Sequence, residues 1–153
     1  MSMIRTIAAP TWIEAKRQQL RDRAVAVDYD CDEDFVSMVR MDRVVIVAAR
    51  SAVPHVDSEF PEWTALWVLQ GQHRLWTANH KPRGANDYTR KPLRSPGLTS
   101  VDLSPGDIVV FNVHRTHWMD AAPDGSLMLA GSFDFKAEPS DADVLARIEE
   151  EVA

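Results

Sequence analysis

The sequence predicts a mainly β domain of sandwich or jelly-roll type with a helix at each end, and two observations carry that prediction. Between residues 35 and 135, short runs of β-branched and aromatic residues recur, separated by Gly, Pro, Asp and Asn, with no helical period between them. Outside that core both flanks carry helix signals instead.

At the N-terminal flank, Thr11-Trp12-Ile13-Glu14 is a capping-box pattern, and Ile13, Leu20 and Ala24 fall near one face. This predicts an amphipathic helix over 11–25, lying outside the main core. From Phe35 the period becomes two: Phe35, Ser37, Val39 and Met41 alternate with Val36, Met38 and Arg40, and Val44-Val45-Ile46-Val47 follows. These are one long strand or two joined near Asp42-Arg43. Further strands are expected at 63–70, ended by Gly71, then at 74–78, 100–103, 108–111, 117–120 and 127–135, with a Pro105-Gly106-Asp107 turn. Ser140 then caps a terminal helix over 141–151, with Val144, Ile148 and Val152 four residues apart.

A chain of 153 residues, 45% hydrophobic and 26% charged, has ordinary globular composition and fits one domain over 1–153. A net charge of −6 argues against a whole-surface nucleic-acid binder and leaves a local basic patch open. Met1-Ser2-Met3-Ile4-Arg5 lacks the apolar core expected of a signal peptide, and the longest apolar run, Val44 to Ala49, is far too short for a bilayer. Lone Cys31 has no bridging partner and reads as an inert buried thiol in a reducing compartment, so a cytoplasmic protein without membrane contact is expected.

All five histidines and four of the five tryptophans fall between residues 55 and 118, which locates the chemistry. Within that stretch, residues 79–100 hold three prolines, two glycines and no apolar period. Lys81, Arg83, Arg90, Lys91 and Arg94 face only Asp87 there, a surplus of four that leaves −10 on the rest of a −6 chain. The segment is a solvated loop or a clamp for a small anionic substrate. Tyr88 in it is thin support for base stacking.

His55-Val56-Asp57 puts an imidazole and a carboxylate two residues apart, which on a strand is one face and one reachable ion. Downstream come Val68-Leu69-Gln70-Gly71, then Gly106-Asp107-Ile108-Val109-Val110-Phe111, with His117 ten residues after Asp107. This frame, over roughly residues 44–135, resembles the double-stranded β-helix superfamily that contains the cupins and the Fe(II)/2-oxoglutarate oxygenases. The resemblance implies a jelly roll in which His55, Asp57 and His117 hold Fe(II) from one side and leave the other open. His114 competes as third ligand. Cupins usually present a second His where Asp57 stands, so the His-x-Asp form favours the oxygenase branch.

On that branch 2-oxoglutarate serves as cosubstrate and a small or anionic substrate is oxidised. Most such enzymes carry an Arg about ten residues beyond the distal His, whereas this chain has Gly125-Ser126-Leu127-Met128-Leu129. Jumonji-type relatives place a basic residue after a Gly turn on the fourth core strand. By that analogy Arg74, or His73 by strand parity, would bind the cosubstrate's far carboxylate. Two alternatives stay open: a cupin-type metalloprotein without 2-oxoglutarate (dioxygenase, isomerase or lyase), and a non-catalytic ligand-binding barrel. The resemblance also admits a homodimer. Trp63 and Trp67, four apart, would line a substrate mouth or pack the sheet, and Trp118 would brace its strand from the far face.

Overall fold

The computed structural model describes residues 3–25, 37–41, 44–49, 52–79, 97–120, 126–130 and 134–152. Its strands are β1 (Ile4–Ile7), β2 (Ser37–Met41), β3 (Val44–Ala49), β4 (Ala52–His55), β5 (Trp63–Gln70), β6 (His73–Ala78), β7 (Leu98–Leu103), β8 (Ile108–Asn112), β9 (His117–Met119), β10 (Ser126–Ala130) and β11 (Asp134–Phe135). The helices are α1 (Glu14–Val25), preceded by a 3₁₀ turn over Thr11–Ile13, and α2 (Asp141–Val152). No described helix is long and apolar enough to cross a membrane.

All the strand pairs are antiparallel and form two sheets. The larger has the order β1-β8-β5-β10-β3-β2 with β11 on β5, and the smaller has β4-β9-β6-β7. From β3 to β10 the chain changes sheet at every step except the β6–β7 hairpin, which is the winding of a jelly-roll sandwich. Phe35 and Cys31 lie outside the described residues, and the two expected N-terminal strands are a hairpin, with Met41 opposite Val44.

Alternation within the strands sorts the core into two layers. Val68, Val109, Phe111 and Met128 of the larger sheet meet Leu75 and Leu103 of the smaller one between the sheets. The opposite side of the larger sheet presents Ile46, Trp63, Trp67, Leu69, Ile108, Val110, Leu127 and Leu129 to the helices, which contribute Ile13, Leu20, Val144 and Ile148. The N-terminal helix is therefore part of a second core layer rather than an outlying element. It is also anchored by Arg17, buried to 7% exposure, whose guanidinium donates to the Leu69 carbonyl at 2.6 Å and pairs with Glu14.

That pairing corrects the expected capping box. Pro10 precedes the 3₁₀ turn without a side-chain cap, and the Glu14 carboxylate accepts from Arg17 and Gln18. The expected cap at Ser140 is present, its Oγ accepting from the Asp143 N–H at 3.1 Å. At the Pro105-Gly106 turn, Gly106 takes a φ of +97° and its N–H donates to the Val68 carbonyl at 2.8 Å. A side chain is disfavoured at that φ, which is why glycine stands before Asp107.

Candidate metal centre

At one end of the sandwich the smaller sheet aligns His55 of β4, His117 of β9 and Thr77 of β6 in one cross-strand row. A register irregularity between Ala52 and His55 sets His55 opposite His117. Such bulges re-aim side chains at the ends of strands. The imidazole centroids lie 4.2 Å apart. Asp57 follows just past the end of β4, with Oδ2 at 3.6 Å from His55 Nε2 and 3.1 Å from His117 Nε2. One donor atom from each of the three residues lies within 4.8 Å of the other two, a spacing that could hold a metal ion.

The loop after β8 holds Asp57 in place. Its N–H donates to the Val113 carbonyl at 2.9 Å, and the Val113 N–H donates to the Glu62 carbonyl at 2.9 Å. Asn112, 1% exposed, donates through Nδ2 to the Glu62 carboxylate and accepts at Oδ1 from the His114 N–H, each at 2.9 Å. His114, the competing third ligand in the sequence, points elsewhere: its Nε2–H donates to the Phe60 carbonyl at 2.7 Å.

The His117 side chain is 5% exposed, against 38% for His55 and 35% for Asp57, so the site is braced from within and reached from the His55 side. Phe111 presses edge-on against His117, with centroids 5.1 Å apart. His117 Nδ1 lies 2.8 Å from the Arg115 carbonyl. A carbonyl only accepts, so Nδ1 carries a proton, and Nε2 is the nitrogen turned toward Asp57. Two lone pairs at 3.1 Å repel unless a proton or a metal cation lies between them. Burial pushes the Asp57 carboxyl up, but hydrogen bonds and charge from His117 and His55 outweigh it and hold the group well below the ordinary carboxylate range.

No family model and no curated protein matches the chain. A crystal structure of Lactobacillus farciminis oxalate decarboxylase in complex with formate is similar at a TM-score of 0.39 and 10% identity, over 62% of this chain and 30% of that one. The chain thus spans under a third of that protein's length, and at this distance neither metal nor reaction transfers.

The expected cosubstrate residues are not brought to the centre. Strand parity puts Arg74 on the outer face of β6, where its guanidinium donates to Asp102 at 2.8 Å and lies 6.0 Å from the Trp76 ring. Its neighbours on either side, His73 and Leu75, are the ones turned inward. His73 is inward and buried, with Nδ1 3.0 Å from the Asp120 carbonyl. It begins the strand whose far end holds Thr77, four residues or about 13 Å away along β6. Leu75, Val101 and Met119 line the wall between them.

Trp63 and Trp67 face the helices rather than the mouth. Trp118 lies on the outer face of β9, stacked on Trp76 with centroids 5.8 Å apart. His80 and the basic segment from Lys81 to Arg94, Tyr88 included, lie outside the described residues. Sequence reasoning missed Thr64 and Asp134. They are register partners on β5 and β11, in the same row as Phe111, and so on the inner wall at the level of the triad. No short motif in the sequence marks either residue.

Proposed function

We propose that this chain is a mononuclear non-haem Fe(II) oxygenase whose metal is held by His55, Asp57 and His117. The observation that carries the reading is His117 Nε2 facing Asp57 Oδ2 at 3.1 Å, with Nδ1 tied to the Arg115 carbonyl. Two neutral imidazoles and a carboxylate are the donor set of facial Fe(II) sites. Fe(II) held this way would supply dioxygen activation at its open side. The chain's own part is to fix the ligands: the Arg115 carbonyl sets the His117 tautomer, the Val113 carbonyl holds Asp57, and Phe111 keeps water from the inner side of the ring.

A second reading, a cupin-type oxygenase that works without 2-oxoglutarate, is favoured by one observation. Arg74 faces away from the barrel, and the wall beneath the triad is apolar at Leu75, Val101 and Met119. Of the two residues expected to hold a cosubstrate carboxylate, His73 is turned inward and Arg74 is not.

Anaerobic calorimetry with Fe(II), followed by 2-oxoglutarate, tests both readings. Tight binding by the wild type and its loss in His55→Ala are expected. Equal binding by the two proteins would overturn the triad. A visible charge-transfer band on adding 2-oxoglutarate, with succinate formed under air, would select the cosubstrate-dependent enzyme. Oxygen uptake without succinate would select the other.

A further inference from the structure

We infer that Asp134, oriented by Thr64 on the inner wall at the level of the triad, is a substrate-binding carboxylate that accepts hydrogen bonds from a cationic N–H group, guanidinium or ammonium, of the molecule processed at the metal centre. The inference rests on the metal-site reading above.

Placement is the first support. Asp134 is the register partner of Thr64, and Thr64 is the partner of Phe111, so these side chains share the inward face of the larger sheet. Phe111 touches His117 edge-on, which fixes the level of the row relative to the triad. Next-door Phe135 points the other way and packs beside the helices, with the Arg147 guanidinium 5.0 Å over its ring. Arg147 therefore acts on Asp134 from the far side of β11.

Chemistry is the second support. The donor atoms that converge at the triad come from His55, Asp57 and His117, without Asp134. A second, half-buried carboxylate so near the first is a poor structural choice. Burial raises its pKa and Asp57 adds to the rise, while the Thr64 hydroxyl and the Arg147 charge pull the other way. A cation seated against it would relieve that cost. With a divalent ion in the triad, the mouth has a positive pole at the metal and a negative pole at Asp134. Both poles project into the gap between sheets that pack about 10 Å apart, so one small molecule could touch both. Such a molecule would offer oxygen to the metal and its cation to Asp134.

The test follows backbone amide resonances of the isotopically labelled full chain while N-methylguanidinium chloride is added, with and without Zn(II), against equal sodium chloride. Saturable shifts at the Thr64 and Asp134 amides are expected in the wild type and Asp134→Glu, and their loss in Asp134→Asn. Zn(II) affinity of Asp134→Asn should stay within threefold of the wild type. Absence of saturable shifts in the wild type, or equal shifts in Asp134→Asn, would overturn the inference. So would a tenfold loss of Zn(II) affinity in that variant, because Asp134 would then belong to the coordination shell. Should Asp134→Asn fail to fold, Thr64→Val carries the test: at least threefold weaker guanidinium binding is expected, and unchanged binding counts against the inference. A wild type that binds guanidinium at Asp134 but no metal would sink the metal reading alone.

Discussion

His117 Nε2 stands 3.1 Å from Asp57 Oδ2, across sixty positions of sequence, while the other nitrogen of the same ring is committed to the Arg115 carbonyl. Without a metal, a proton on Nε2 bridges that contact, and a neutral amide in place of the carboxylate loses the charge that draws it. Asp57→Asn is expected to lower the melting temperature of the metal-free protein at neutral pH, because a carboxyl held below its ordinary pKa stabilises the fold there. Its Zn(II) affinity should fall at least about 100-fold, since even outer partners of ligands are worth about 10–100-fold. Thermal unfolding with and without Zn(II) checks both: the ion should raise the wild-type midpoint and not that of the variant.

Asn112 ties Glu62 to the loop that holds Asp57, and it is almost fully buried. Removing its amide in Asn112→Ala leaves the Glu62 carboxylate and the His114 N–H short of a partner, at a cost of about 1–3 kcal/mol. Denaturant unfolding measures that cost. Calorimetry should show weaker metal binding as well, because the Val113 carbonyl that positions Asp57 loses its support.

Trp67 is fully buried between the larger sheet and the helices, away from the mouth. Trp67→Ala should cost about 3–5 kcal/mol of stability by opening a cavity. Trp63→Phe should lower stability less and leave metal affinity intact. A change in metal affinity without a change in stability would contradict the placement of these rings.

Arg74 pairs with Asp102 on the exposed outer face. Arg74→Ala should leave the melting temperature, metal affinity and any 2-oxoglutarate binding at wild-type values, as expected for a screened surface pair. Loss of a 2-oxoglutarate band in that variant alone would overturn the outward assignment.

Asp134 makes stability depend on pH with a definite sign. Its carboxyl is raised in the folded protein, chiefly by burial, so between the unfolded and folded pKa the unfolded chain binds fewer protons. Stability should therefore fall as pH rises through that window, which opens near the unperturbed Asp value of about 3.9. Asp134→Asn removes the effect. Its melting temperature should exceed that of the wild type at pH 7, with the gap closing below the window. A gap that is constant with pH would show that the carboxylate is not strained by its surroundings.

Much of this arrangement was legible before any contact was known. Alternation along 63–70, the Pro105-Gly106 turn and the Ser140 cap are local signals, set by the stereochemistry of a few neighbouring residues, and each element formed close to where it was expected. The His-x-Asp pair and the distal His at residue 117 were likewise visible as types and spacings. The Thr11 capping box failed for a long-range reason: Arg17 claims Glu14 while reaching the Leu69 carbonyl on the sheet.

What a linear reading cannot supply is which face of a strand becomes the inside, because that depends on the partner across the sandwich. Arg74 and His73 differ by one position and point to opposite faces of the same strand. Trp63 and Trp67 turned toward the helices because an apolar helical layer, with Ile13 and Ile148, was there to cover them. Asp134 reached the level of the triad only through its register with Thr64, a pairing made between distant segments by backbone hydrogen bonds. Residue chemistry and local period belong to the sequence; the convergence of His55, Asp57 and His117, with a carboxylate on the wall across from them, belongs to the packing of two sheets.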